Sequence, residues 1–455
     1  MQQNRLQYII EEINRVDGQS PTVKLPKHLK MTASPFVFFR GSAQLFYADI
    51  ESGVIEFPAA CAHIPLTSIM GDCHTSNFGF LTEEGSHGDT VVFSPNDFDD
   101  ACVGKAQWDI IRFLTSLHLA QRHCHGVVKG NYISDDVDIS KPVVSHQQVI
   151  NAQYAFIEQY VETCNRVVEN GKVLNEAIDY CPDAIPSKLI KLYKKARARS
   201  AGGEDFASKS ALAKAVFFNN KTLGFKPDNE KFATLSKKEY KTLHEAFAPY
   251  MDDTVVDIVK RLNAGTGSVN MARYYFLVGP SKPHNETSFA HCHIVEVKQQ
   301  RVAAPIHYFP SINPVNRLNA AHLTARCQRR MQRKPDLVLD EVKFENAHYL
   351  IRSRHHAKVG IDPQDIAMGT KAVNGGFEYF AKLCGYSLAL AHCRGDRRST
   401  RYAYSASHNL SQIKCLLIKI ANLYAEQVVE DHALFSEHIQ LKKLGGNRIA
   451  KSEAS

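Results

Sequence analysis

The string IMGDCHTSNFGFL places Asp72 and Asn77 in one loop bracketed by apolar residues, with Gly71 and Gly79 giving the backbone freedom to turn. Phosphoryl transfer needs an aspartate to accept or orient an attacking hydroxyl and, a few residues on, an amide oxygen to hold magnesium. Asp72 and Asn77 fit those two roles. The segments FGFL and DTVVF read as short strands joined by TEEGSHG, and a hairpin there returns SPNDFDDA to the side of Asn77. Asp97 and Asp99 then reach the same metal, Asp97 as the main ligand, because magnesium takes one or two carboxylates together with substrate phosphates.

Such a site also needs backbone N–H groups over the phosphates and a lysine on a neighbouring strand. Gly265, Thr266, Gly267 and Ser268 are the candidate phosphate loop, and Lys298 is the candidate lysine, which implies ATP and Mg2+ as cofactors. Alternation through FAHCHIVEVK puts Lys298 on the face of Glu296, Ile294 and Cys292, at the end of a half-buried strand where an ammonium needs an anionic partner. Two features depart from a complete phosphate site. Asn270 stands where a full G-x-G-x-x-G has its third glycine, and residues 299–335 contain no Asp or Glu. The acid that normally pairs such a lysine is therefore missing from the following basic helix, leaving Glu296 or the acids of DLVLDE as substitutes.

Positioning these groups requires both helices and strands. A short helix is expected near residues 3–15, then the aromatic-rich SPFVFFRGSAQLFYADI with a turn at Arg40-Gly41. A strongly periodic helix spans about Gln147 to Asn170, with Ala152, Ala155, Phe156, Tyr160 and Val161 on one side. KLIKLYKKARARSAGGEDFASKS ends a basic amphipathic helix in a Gly/Ser-rich loop, read as a mobile insert near 198–210. β-character begins at Ala264, and helices return at Val315–Arg333, Gly376–Cys393 and about Asn409–His432. The chain divides into 1–125 with the catalytic and metal loops, 126–250 mostly helical, a β-rich 251–358, and a helical 359–455. The fold class is α+β.

GDCHTSN followed by NDFDDA and WDIIRF resembles the GD-x-H-x-x-N, DFD and WD-L elements of aminoglycoside and choline phosphotransferases. Over nearly the whole chain, SPFVFFRGSA, GDCHTSNFG, NDFDDA, GTGSV, RYY, VEVKQ, CGYSLALAH and YAEQVVEDHALF resemble the bacterial family DUF2252. The resemblance implies a protein-kinase-like, two-lobed fold with a small β-rich lobe and a large helical lobe. In it Asp109 ties down the catalytic loop, Trp108, Ile110, Ile111, Phe113 and Leu114 bury the helix that follows, and His74 is architectural. The glycine loop and lysine of a linear kinase precede its catalytic aspartate, whereas here they follow Asp72, an order that implies circular permutation. The function implied is phosphotransfer to a small-molecule hydroxyl or amine; the alternatives are a nucleotide-binding pseudokinase and nucleotidyl transfer.

Composition narrows the remaining classes. The chain has 455 residues, enough for two lobes with a substantial core. Its eleven cysteines lack CxxC pairs and read as reduced thiols, mostly core. No stretch has the length of a membrane span and the N-terminal run carries acids, so a cytoplasmic protein is expected. A net charge of +8 favours anionic partners, nucleotides included. Nucleic-acid binding is not expected, because the basic stretches have few interleaved aromatics. His291 and His293, Cys61 and His63, and His355-His356 make no matched zinc set, and no G-x-S-x-G elbow marks a hydrolase.

Overall fold

A computed structural model describes residues 2–133, 137–179, 188–219, 222–227, 230–262, 271–281, 285–396 and 399–452. The fold is mixed α+β. Its helical part is built round the Ala106–Val128 helix, whose residues are buried on almost every side, as an all-round apolar helix must be. The His146–Glu169, Phe377–Gly395 and Arg401–Ser452 helices pack against it or against each other. Ser145 and Gln148 start the first of these with a capping box, their side chains each bonding the other's backbone N–H at 3.3 and 2.8 Å. Gly385 is the point of closest approach between Phe377–Gly395 and His146–Glu169, since a Cβ there would overlap the carbonyl of Phe156.

Strands β1 (Thr67–Ile69) and β4 (Cys102–Gly104) pair antiparallel and hold the ends of the segment with the candidate chemistry. Between them β2 (Phe78–Thr82) and β3 (Val91–Pro95) form the hairpin expected from FGFL and DTVVF. β5 (Val216–Asn219) and β6 (Thr222–Phe225) form a separate antiparallel pair. β7 (Phe232–Ala233), β8 (Thr254–Arg261), β9 (Arg273–Gly279), β10 (His293–Gln299), β11 (Leu339–Phe344) and β12 (Ala347–Ser353) make one antiparallel sheet in the order β11-β12-β10-β9-β8-β7. β-character thus begins well before Ala264, because the β-branched run of TVVDIVKR forms a full strand. β13 (Lys358–Gly360) leaves that sheet and joins β2, so Arg354–Ala357 connects the two regions.

Alternation gives the six-stranded sheet two apolar faces. Phe276, Val295, Val297 and Ile351 meet Phe247 on one; Tyr275, Leu277 and Ile294 meet Phe206 and Leu212 on the other. The last helix is longer than the Asn409–His432 of the sequence reading: it starts at Arg401 and continues to Ser452, through a stretch without proline. All ten described cysteines are free, and all but Cys415 are buried. No helix among the described residues is long and apolar enough to cross a membrane.

The C-terminal end of the Phe377–Gly395 helix abuts the start of β1, where Thr67 Oγ1 donates to the His392 carbonyl at 2.6 Å. Along the same helix Phe380 meets Phe93 and Phe113, and Ser387 Oγ donates to the Phe93 carbonyl at 3.3 Å. Asp109 completes the junction. Its fully buried carboxylate accepts from Met70 N at 2.7 Å and Gly71 N at 3.0 Å and lies 3.1 Å from His392 Nε2. The other imidazole nitrogen meets Tyr160 OH at 2.7 Å, so three helices and the loop before Asp72 share one polar node. Asp109→Ala would strand two backbone amides away from water, and a loss of about 3–5 kcal/mol is expected. Urea unfolding followed by the emission of Trp108, the single tryptophan and the neighbour of Asp109, measures it directly.

Candidate active site

Asp72 leaves the β1 end of the loop immediately after Gly71, whose φ of +77° no side-chain-bearing residue adopts without strain. A Cβ at Gly71 would also overlap the carbonyl oxygen of Asp100, so glycine is what lets the Asp72 loop and the Asp97–Asp100 loop touch. Arg112 fixes the aspartate: its Nε and Nη2 both donate to Asp72 Oδ1, at 2.8 and 2.6 Å. The guanidinium is itself fully buried, stacked 4.0 Å over Phe39 and donating to the Phe39 carbonyl. Asp72 Oδ2 remains open to the cavity, 3.6 Å from His74 Nε2. Burial, with Arg40 and Arg112 nearby, pushes the His74 imidazole well below its ordinary range, so His74 is neutral. Asn77 Nδ2 donates to the Asp72 carbonyl at 2.8 Å, and its amide oxygen meets no donor among the described residues.

Across the cavity, Asp97 Oδ1 caps the Asp99 amide at 3.1 Å and leaves Oδ2 unbonded. Lys298, at the end of β10, makes an ion pair with Asp99 Oδ2. The acid that pairs Lys298 is therefore Asp99 itself and neither Glu296 nor an acid of DLVLDE. Glu296 instead binds Arg273 at 3.2 Å and Arg352 at 3.0 Å, and Arg352 reaches back to within 3.7 Å of Asp99 Oδ1. The β10–β12 register sets this up, placing Glu296 opposite Arg352. Gln328, from the basic Ala320–Met331 helix, lines the cavity where a pairing acid was absent from the sequence.

The two aspartates are driven apart electrostatically. Burial alone would raise both, but Lys298 and Arg352 outweigh it at Asp99 and hold that carboxyl far below its usual range. At Asp97, burial and the charge of Asp99 prevail over the nearby Lys358 and raise its pKa. The Glu296 carboxyl is buried too, yet Arg352 and Arg273 bring it down to about 2.

Asp72, Asn77, Asp97 and Asp99 all line a single cavity of about 520 Å³, with Lys298 in contact with one of them. Gly265, Thr266, Gly267 and Ser268 lie outside the described residues, in the sequence between β8 and β9. Sequence reading missed Arg112, Arg352 and Arg40. Only Arg112 left a local trace, as the single cation within the apolar run IIRFL.

Removing the ammonium tests this electrostatic picture without reference to any reaction. Lys298→Met should raise the Asp99 carboxyl pKa toward the ordinary range, with an effect visible in a carboxyl carbon NMR titration. An unchanged Asp99 titration would mean that Arg352 alone sets its charge.

No curated protein and no solved structure matches the chain. The sequence profile of a bacterial family, described as an uncharacterized protein conserved in bacteria (DUF2252), matches residues 20–137 and 141–438. With nearly all of its length matched, this chain belongs to the DUF2252 family.

Proposed function

We propose that the chain is an ATP- and magnesium-dependent phosphotransferase on a circularly permuted, protein-kinase-like fold, acting on a hydroxyl or amine of a small molecule. The observation that carries this reading is the meeting of Lys298 with Asp99 in the cavity that also holds Asp72 and Asn77. The β8–β9 hairpin strands, then β10 with its lysine, then a helix and β11–β12 supply the parts of a phosphate-binding lobe in the order a kinase uses. Permutation is supported by the Phe377–Gly395 helix, whose end touches β1 although the two are separated by most of the chain.

Magnesium bound through Asn77 Oδ1, Asp97 and Asp99 would neutralise phosphate charge, and the phosphates would complete its shell. That donor set fits the ion in being all oxygen: Asn77 Oδ1 and Asp97 Oδ2 meet no donor among the described residues, and both residues line the cavity. Lys298 moves from Asp99 to the phosphates. The acceptor oxygen bonds to the γ-phosphorus, its proton passes to Asp72 Oδ2, and the bond to the β–γ bridging oxygen breaks to release ADP. Arg112 keeps Asp72 aimed while this happens.

Gln328, standing where a pairing acid is absent, favours a second reading in which nucleotide binds without turnover. Incubation with labelled ATP and a metabolite extract, followed by mass spectrometry, separates the two: a phosphorylated product supports transfer, and tight binding with no product supports the pseudokinase. Asp97→Ala should abolish magnesium-dependent nucleotide binding in calorimetry, whereas Asp72→Ala should spare binding and remove turnover. The raised pKa of Asp97 adds a pH signature. Its protonated form cannot ligate, so magnesium-dependent affinity should fall with decreasing pH, starting above the ordinary aspartate value of about 4. Equal nucleotide affinity in wild type and Asp97→Ala sinks the metal assignment.

A further inference from the structure

Ten side chains lining the cavity are Lys or Arg and five are Asp or Glu, so the wall carries five positive charges in excess. A magnesium–nucleotide complex brings about two negative charges and leaves most of that excess uncompensated. Five of the cations, Arg40, Arg199, Lys214, Arg354 and Lys358, have no carboxylate within ion-pair distance among the described residues. Two of these are engaged by neutral oxygens: Lys358 donates to the Asn96 carbonyl at 2.6 Å and Arg354 to Tyr275 OH at 2.6 Å.

Arg40 differs from the others in its location. It sits in the last turn of the Pro35–Gly41 helix, open to the cavity, with its guanidinium 5.7 Å over Phe36 and no hydrogen-bond partner among the described residues. Its nearest carboxylates electrostatically are Asp72, Asp362 and Asp97, none of them within ion-pair distance, and the residue is exposed. Asp72 does not need it. Arg112 already supplies that carboxylate with two charge-assisted bonds, so Arg40 is a surplus cation beside the proposed base. An exposed guanidinium that lines the cavity with no counter-ion among the described residues is available to the anion of a ligand.

We infer that the acceptor carries an anionic group, phosphate or carboxylate, that docks on Arg40 while its hydroxyl faces Asp72. This rests on the phosphotransferase reading and assigns its acceptor side. Cationic acceptors such as choline or an aminoglycoside would meet an unpaired guanidinium next to the base and be rejected. A fork of parallel N–H donors suits either anion, and the rest of the positive wall raises its local concentration.

The test uses the full chain saturated with magnesium and a non-hydrolysable ATP analogue. Calorimetry then compares glycerol 3-phosphate, glycerate, glycerol and choline as probes. At least one anionic probe should bind about tenfold or more tightly than glycerol or choline, and the stronger of the two tells phosphate from carboxylate. Arg40→Gln should remove that advantage, Arg40→Lys should restore part of it, and affinity for the analogue should change by less than about threefold. Thermal unfolding of Arg40→Gln matching wild type shows that the loss is local. If anionic probes bind no better than glycerol, or if Arg40→Gln leaves their binding unchanged, the acceptor assignment is overturned while the nucleotide reading stands. If the analogue itself does not bind, the phosphotransferase reading falls and the assignment falls with it.

Discussion

The ion pair between Lys298 and Asp99 is the contact on which the site depends. It joins the end of β10, in the six-stranded sheet, to the loop after the β2–β3 hairpin, and thereby fixes how the sheet faces the helices. A lysine this buried demands an anion, and the acid nearest on its own strand, Glu296, is already committed to Arg273 and Arg352. Asp99 is consequently drawn in as the available partner, and a metal-ligand candidate becomes an element of the architecture. The same contact, with Arg352, holds the Asp99 carboxyl far below its usual range.

Behind that contact lies a second layer of residues that do not themselves line the cavity. Asp109 bonds the amides of Met70 and Gly71 and meets His392, and Arg112, one helical turn on, grips Asp72. Two polar residues of one buried helix thus set the backbone and the side chain of the same loop. Gly71 then permits the loop to lie against Asp100, whose carboxylate accepts from Arg301 at 3.0 Å and from the Ala304 amide at 2.8 Å. Position is passed from the helical core to the cavity through a chain of buried hydrogen bonds.

The legible parts of this arrangement were those written locally. Asp72 and Asn77 share a loop, Asp97 and Asp99 follow a hairpin whose strands and turn are adjacent in sequence, and period-two alternation put Lys298 beside Glu296. Nothing local revealed Arg352 or Arg40, because the role of each depends on a strand register or on a cavity wall made by distant segments. The missing acid for Lys298 was sought on the next helix and was found on another part of the chain. Likewise the charged Asp257, Lys260 and Arg261 interrupt the apolar alternation of β8 and hid it as a separate strand within the β-rich 251–358, and the final helix continues past His432, where the sequence reading ended it.

The Asp109–His392 contact spans 283 positions and has a consequence for how the protein is made. On the ribosome, the helix containing Asp109 emerges long before the helix that carries its imidazole partner, so a carboxylate destined for the interior waits in water through most of translation. Contacts of such separation are slow to form and leave apolar surface exposed meanwhile. The helical core can close only after the helices from Phe377 onward have been made, so the earlier helices cannot complete it piece by piece as they emerge.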